Sequence, residues 1–142
     1  MNIEVDSTAK CFSTEEILIN SPAKKVFEIL ADINNWAVWQ SSVSRAQING
    51  QAEVGKRFEW KSGSLILKSQ FHTVSPDSEI GWTGTVWWIK AVHNWSLTKE
   101  NGMTRVVVKE SLTGLGSSGM QKSLKEGMKK NLAELKQRAE KR

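Results

Sequence analysis

Between Ile80 and Glu110 the chain reads IGWTGTVWWIKAVHNWSLTKENGMTRVVVKE, with apolar and polar side chains alternating at a period of two. Successive side chains of a strand point to opposite faces, so the pattern predicts consecutive antiparallel strands with one face inward. A hairpin centred near Glu100, Asn101 and Gly102 puts Ala91, His93, Trp95 and Leu97 on the same face as Val106, Val108 and Glu110. Bulky apolar groups with one imidazole and one carboxylate suit the wall of a small-molecule pocket, where a few placed polar groups orient the ligand.

Turn and helix signals extend the reading in both directions. Residues 11–20 suit a first strand, ending in Ile17, Leu18 and Ile19. Ser21 and Pro22 predict a helix start, with the serine accepting from an orphan backbone donor and the proline at the first helical position, where its missing N–H costs nothing. Val26, Phe27, Ile29 and Leu30 form the apolar side of that helix to about Asp32. A second short helix from Asn34 or Asn35 carries Trp36 and Trp39 on one face. Strands are then expected over residues 45–49, 56–61, 65–74, 80–86, 91–98 and 104–113, seven with the first.

Gly114, Gly116, Ser117 and Ser118 interrupt the last strand. Beyond them Met120, Leu124, Met128, Leu132 and Leu135 recur at steps of three or four, which predicts an amphipathic helix of about twenty residues laid across the sheet. Gly127 sits at the edge of its apolar stripe, where a helix former is favoured by about 1 kcal/mol. Close packing or room for a ligand would explain it, and so would a tolerated surface glycine.

A chain of 142 residues with 39% hydrophobic and 25% charged residues can bury one core, and a single domain over residues 1–142 is expected. The net charge of +5 thickens only in Lys122, Lys125, Lys129, Lys130, Lys136, Arg138, Lys141 and Arg142, which reads as the solvated face of a helix and not as a nucleic-acid surface. Cys11 is alone and cannot form an internal disulfide, and the first ten residues lack the apolar core of a secretory signal, so a reducing, cytoplasmic setting is the default. No apolar stretch approaches the ~18 residues that span a bilayer, and stable membrane insertion is not expected.

Several segments, taken in order, carry a family likeness. They are residues 21–27 (SPAKKVF), 32–39 (DINNWAVW), 53–60 (EVGKRFEW), 80–84 (IGWTG) and 91–95 (AVHNW), then Thr104, Arg105 and Val106 followed by Glu110 and Gly114. Over roughly residues 12–140 the chain resembles the START-like superfamily and, within it, the bacterial polyketide cyclase/dehydrase-type branch often described as SRPBCC. The resemblance implies an α+β helix-grip fold: a seven-stranded antiparallel sheet curled around a long C-terminal helix, with two short helices after strand 1. It also implies a cavity between sheet and helix for an apolar ligand. It implies no single activity, because one fold hosts many functions.

Catalytic constellations are scarce. Two histidines and one cysteine cannot supply a zinc site without help from carboxylates, and no phosphate loop, nucleophile elbow or dinucleotide fingerprint occurs, so neither a metal nor a cofactor is expected. One candidate pair stands out. A turn over residues 99–102 sets residue 91 opposite 110 and residue 93 opposite 108, making His93 and Glu110 diagonal neighbours about 7–8 Å apart. Such a carboxylate can hold an imidazole charged or orient it as a general base, while the plainer reading is a satisfied polar pair. His72 is expected at the rim or exposed.

Seven tryptophans against four phenylalanines and no tyrosine favour rigid cavity walls with single polar handles. Trp60, Trp82 and Trp95 are expected to line the cavity with His93, Val108, Glu110, Leu124 and Met128, while Trp36 and Trp39 cover its mouth. Trp87 and Trp88 are adjacent and cannot both point inward, so one is expected at the rim, available to a membrane or partner. The leading expectation is a module that binds a small hydrophobic or aromatic ligand, its polar end oriented by His93 and Glu110. The alternative is a cyclase or dehydratase-type enzyme in which the same two residues, as catalytic acid and base, move a proton on an enolisable substrate. A third is an interaction protein docking through its basic helix or exposed tryptophans.

Overall fold

The computed structural model of the protein describes residues 3–141. Strand β1 (Cys11–Ile19) leads into helix α1 (Ala23–Ala31), a 3-10 turn (Ile33–Asn35) and the one-turn helix α2 (Trp36–Trp39). Strands β2 (Arg45–Ile48), β3 (Arg57–Ser62), β4 (Leu65–Ser75), β5 (Glu79–Val86), β6 (Ile89–Glu100) and β7 (Met103–Thr113) follow, and a second 3-10 turn (Ser117–Met120) opens helix α3 (Gln121–Glu140). The strands form one sheet in the order β1-β7-β6-β5-β4-β3-β2, with every neighbouring pair antiparallel. Seven strands and a long C-terminal helix are what the sequence predicts.

Helix α1 buries Ala23, Val26, Phe27 and Leu30, the spacing of one helical face. Its start differs from expectation. Pro22 is the residue before the first helical one, and no side chain caps the helix, so Ser21 does not serve as its cap. The Ser21 carbonyl instead accepts a hydrogen bond of 2.7 Å from the Thr104 hydroxyl, tying the loop to β7.

The turn between β6 and β7 sets the register of the whole functional face. Asn101 (φ 53°) and Gly102 (φ 80°) are both left-handed, and Glu100 pairs with Met103 across them. Two left-handed residues make a two-residue hairpin loop, the type that Asn-Gly favours. The loop is tighter than the one expected over residues 99–102, and each residue of β6 therefore meets a partner two positions later in β7.

Helix α3 lies along β1 at the edge of the sheet, where backbone groups would otherwise go unpaired. The Gln121 side chain accepts from the Phe12 N–H at 2.8 Å and donates to the Phe12 carbonyl at 2.7 Å. Lys136 Nζ donates to the Leu18 carbonyl, and Glu140 accepts from the Asn20 N–H. From the other direction the Ser41 N–H reaches the Glu134 carboxylate, so the segment after α2 closes on the same helix. The inner face of α3 buries Met128, Leu132, Leu135 and Ala139. Gly127 is exposed, and nothing lies within 4 Å of where its Cβ would be. Of the two explanations open for it, the surface glycine holds.

Trp36 corrects another expectation. It is 2% exposed, lying 5.5 Å from the Phe58 ring, 5.9 Å from Trp60 and 5.2 Å from Trp82, and it donates to the Leu30 carbonyl through Nε1. The side chain predicted to cover a mouth fills the hollow under β3, β4 and β5 instead. Trp39, half-buried, packs against the same core. A two-turn connection directly after α1 is short enough to tuck its first tryptophan under the curl of the sheet.

Candidate functional site

The concave face carries a row of directly opposed residues running from the sheet edge inward. Ser13 on β1 pairs with Glu110 on β7, Glu110 with His93 on β6, His93 with Trp82 on β5, and Trp82 with Phe71 on β4. His93 and Glu110 are thus directly opposed and not diagonal, a correction that follows from the two-residue turn. The imidazole hydrogen-bonds the carboxylate through Nδ1, and its ring stacks on Trp82 at 4.7 Å with 10° between planes.

This polar row divides two apolar clusters. On one side Cys11, Ile89 and Leu112 form a small cluster with Val86, Ala91 and Met120, and on the other lies the main core, which includes Trp95, Val108 and Met128. Leu124 on α3 packs against both and bridges the row. Trp60, half-buried, faces the same core and donates to the Ser69 hydroxyl at 3.2 Å. Of the eight residues predicted to line a cavity, Trp60, Trp82, Trp95, Val108, Leu124 and Met128 pack in or against the main core, and His93 and Glu110 stand in the polar row.

The electrostatics are set by burial. His93 is 8% exposed, and removal from water pushes its imidazole down to about 3 from an ordinary 6.5, which leaves it neutral at physiological pH. With Glu110 ionised, the carboxylate can only accept, so the His93–Glu110 hydrogen bond takes its proton from Nδ1 and leaves Nε2 its lone pair. That Nε2 finds no hydrogen-bond partner among the described residues, nor does the Nε1–H of Trp95, which is 3% exposed. The two rings lie 5.4 Å apart.

Sequence reasoning missed the contribution of β1. Ser13 is buried beside Glu110, and Glu15, next along the inner face, forms an ion pair of 3.2 Å with Lys125 of α3. The signal was available: residues 11, 13, 15, 17 and 19 share a face, so two of the five inward positions are polar.

His72 is buried, against expectation, and lies on the convex side. A bulge in β4 places it between Phe71, opposite Trp82, and Thr73, opposite Gly81. The Ile3 N–H donates to His72 Nδ1 at 3.1 Å, His72 Nε2 meets Asn94 Oδ1 at 2.9 Å, and Asn94 Nδ2 donates to the Ile3 carbonyl at 2.8 Å. With the Asp6 N–H on the Ser111 hydroxyl, these bonds strap the N-terminal arm across the back of the sheet. Burial lowers the His72 imidazole, against the opposing pull of the Asn94 hydrogen bond.

Trp87 and Trp88 are both exposed, at 71% and 62%, where one was expected at a rim. Their rings stack at 6.0 Å on the tip of the β5–β6 hairpin, and Trp88 Nε1 donates to the Leu115 carbonyl. Among the described residues no three histidine, cysteine or acidic side chains gather to hold a metal ion, and no helix is long and apolar enough to cross a membrane.

The family described as polyketide cyclase / dehydrase and lipid transport matches residues 11–140. The chain belongs to that family. Its fold is shared with solved members of the same architecture at low identity. A hypothetical protein of Helicobacter pylori superposes with a TM-score of 0.83 at 15% identity, over 98% of both chains. A START superfamily protein of Mycobacterium smegmatis does so with a TM-score of 0.77 at 12% identity, over 91% of this chain and 97% of that one. The di-domain aromatase/cyclase StfQ of the steffimycin biosynthetic pathway gives 0.77 at 12% identity over 91% of this chain, which spans half of that protein. No curated protein matches the sequence. Membership of the polyketide cyclase/dehydrase and lipid-transport family accounts for the sheet wrapped on α3, and it leaves the ligand open.

Proposed function

We propose that this protein binds a small hydrophobic or aromatic molecule between the concave face of the sheet and α3, with its polar end against His93 and its neighbours. The observation that carries the reading is the polar row of Ser13, Glu110 and His93, set between two apolar clusters that Leu124 packs against on both sides. Buried polar groups are retained at a cost of about 1–3 kcal/mol when incompletely paired, so a row of them within an apolar wall supports ligand orientation over simple packing. The α3 side chains that would yield to a ligand are Met128, which is unbranched and can repack, and the half-buried Leu124. Retention of a small molecule by the purified protein in native mass spectrometry, with a raised melting temperature on adding it back, tests the reading. Substituting Leu124→Trp should abolish that shift, and a protein that carries and accepts no apolar molecule would overturn it.

A second reading uses the same groups for proton transfer. Glu110 orients the imidazole through Nδ1 and turns Nε2 away from it, the geometry of a positioned proton-transfer group. The steffimycin aromatase/cyclase of similar fold supports a cyclase or dehydratase chemistry. Turnover of an enolisable substrate that falls by about 10²–10⁴-fold in His93→Ala separates this from binding alone.

A further inference from the structure

We propose that the group this site selects is a hydroxyl, so that the ligand is a neutral aromatic or alicyclic alcohol whose O–H donates to His93 Nε2 while its oxygen accepts from Trp95 Nε1–H. The inference rests on the binding function proposed above and adds the chemistry of the ligand's polar end. It starts from two nitrogens on adjacent inward positions of β6, each more than nine-tenths buried and neither partnered among the described residues.

Their hydrogen-bonding characters are opposite. Indole Nε1 can only donate. With Glu110, directly opposite on β7, ionised and accepting a hydrogen bond from Nδ1–H, His93 Nε2 is left as an acceptor. The two ring centroids lie 5.4 Å apart, on neighbouring inward positions of one strand. A group that both donates and accepts matches the pair.

Other oxygen groups do less. A ketone or ether oxygen accepts from Trp95 and leaves the Nε2 lone pair empty-handed. A carboxylate likewise cannot donate, and it would bring a second negative charge beside Glu110 into a site shielded from water. An ammonium group donates to Nε2 and offers nothing to the indole. Of these groups the hydroxyl alone leaves no buried partner unmatched, and sites built to hydrogen-bond a hydroxyl discriminate strongly against analogues that lack it.

The test uses matched pairs: phenol against anisole, and 2-naphthol against 2-methoxynaphthalene, titrated into the full chain and followed by calorimetry. The expected result is binding of at least one alcohol about ten-fold or more tighter than its methyl ether. In Trp95→Phe, which keeps an aromatic ring and removes the donor, that preference should shrink by several fold. A second readout needs no variant: among the indole N–H signals in a ¹H–¹⁵N spectrum, one should move downfield with the alcohol and not with the ether. Equal affinity for alcohol and ether overturns the hydroxyl assignment and leaves the binding function standing. Absence of binding by all four compounds overturns the assignment together with the reading on which it rests.

Discussion

His93 and Glu110 face each other directly across β6 and β7, and the imidazole is held between the Glu110 carboxylate at its Nδ1 side and the Trp82 ring against its face. Side-chain orientation at this pair is thus fixed by two contacts at right angles to one another in kind, one polar and one aromatic. The pair should behave as a unit. In a double-mutant cycle of His93→Ala and Glu110→Ala by urea denaturation, a coupling of about 1–3 kcal/mol is expected. A value near zero would mean that the two side chains do not interact.

Acid should weaken the fold through His93. Its folded value of about 3 lies below the ordinary 6.5, so the unfolded chain takes up the proton first. The contribution is fully present above about pH 6.5 and is lost progressively as pH falls toward 3, at up to about 1.4 kcal/mol per pH unit. Urea midpoints measured between pH 7 and pH 4 should show this slope. The His93→Phe/Glu110→Gln double variant should flatten it without removing it, because the lowered imidazole of His72 acts in the same direction.

Trp36 should prove a core residue. Trp36→Ala removes a ring that touches Phe58, Trp60 and Trp82, and large-to-small changes of this type cost about 3–5 kcal/mol. A tryptophan merely lying over an opening would cost under about 1 kcal/mol, so the urea midpoint of this variant decides between the two.

Gly81 makes the strapping of the N-terminal arm possible. A Cβ there would lie 2.5 Å from Asn94 Oδ1 and 2.7 Å from His72 Cε1. Gly81→Ala should push both side chains out of place, destabilise by about 1–3 kcal/mol, and speed exchange of the Ile3 and Asp6 amide protons. Unchanged protection of those amides would show that the arm is held by other means.

Trp87 sits in the left-handed region at φ 53° while 71% exposed, so it bears a backbone cost with few contacts in return. Trp87→Gly should leave stability unchanged or raise it by about 1 kcal/mol. A clear loss in thermal unfolding would reveal packing at the hairpin tip.

Strand and helix content was legible because it depends on periodicity alone. Period two in β6 and β7 placed His93, Trp95, Leu97, Val106, Val108 and Glu110 on one face, and steps of three and four in α3 placed Leu124, Met128, Leu132 and Leu135 on another. The same alternation in β1 already contained Ser13 and Glu15 and could have enlarged the candidate site.

Register was harder, since a hairpin that reverses in two residues and one that reverses in four present the same alternating faces. The Asn101-Gly102 pair itself favours the two-residue turn, and the left-handed φ angles there bring His93 head on to Glu110. The bulge at His72 is of the same kind: one extra residue in β4 has no signature in composition, yet it brings that imidazole under the arm. Periodicity reports which way a side chain points relative to its own strand. Whether Trp36 fills a hollow or covers it, and which partner a buried nitrogen lacks, depend on elements far apart in the chain, and those relations exist only once the sheet has curled onto α3.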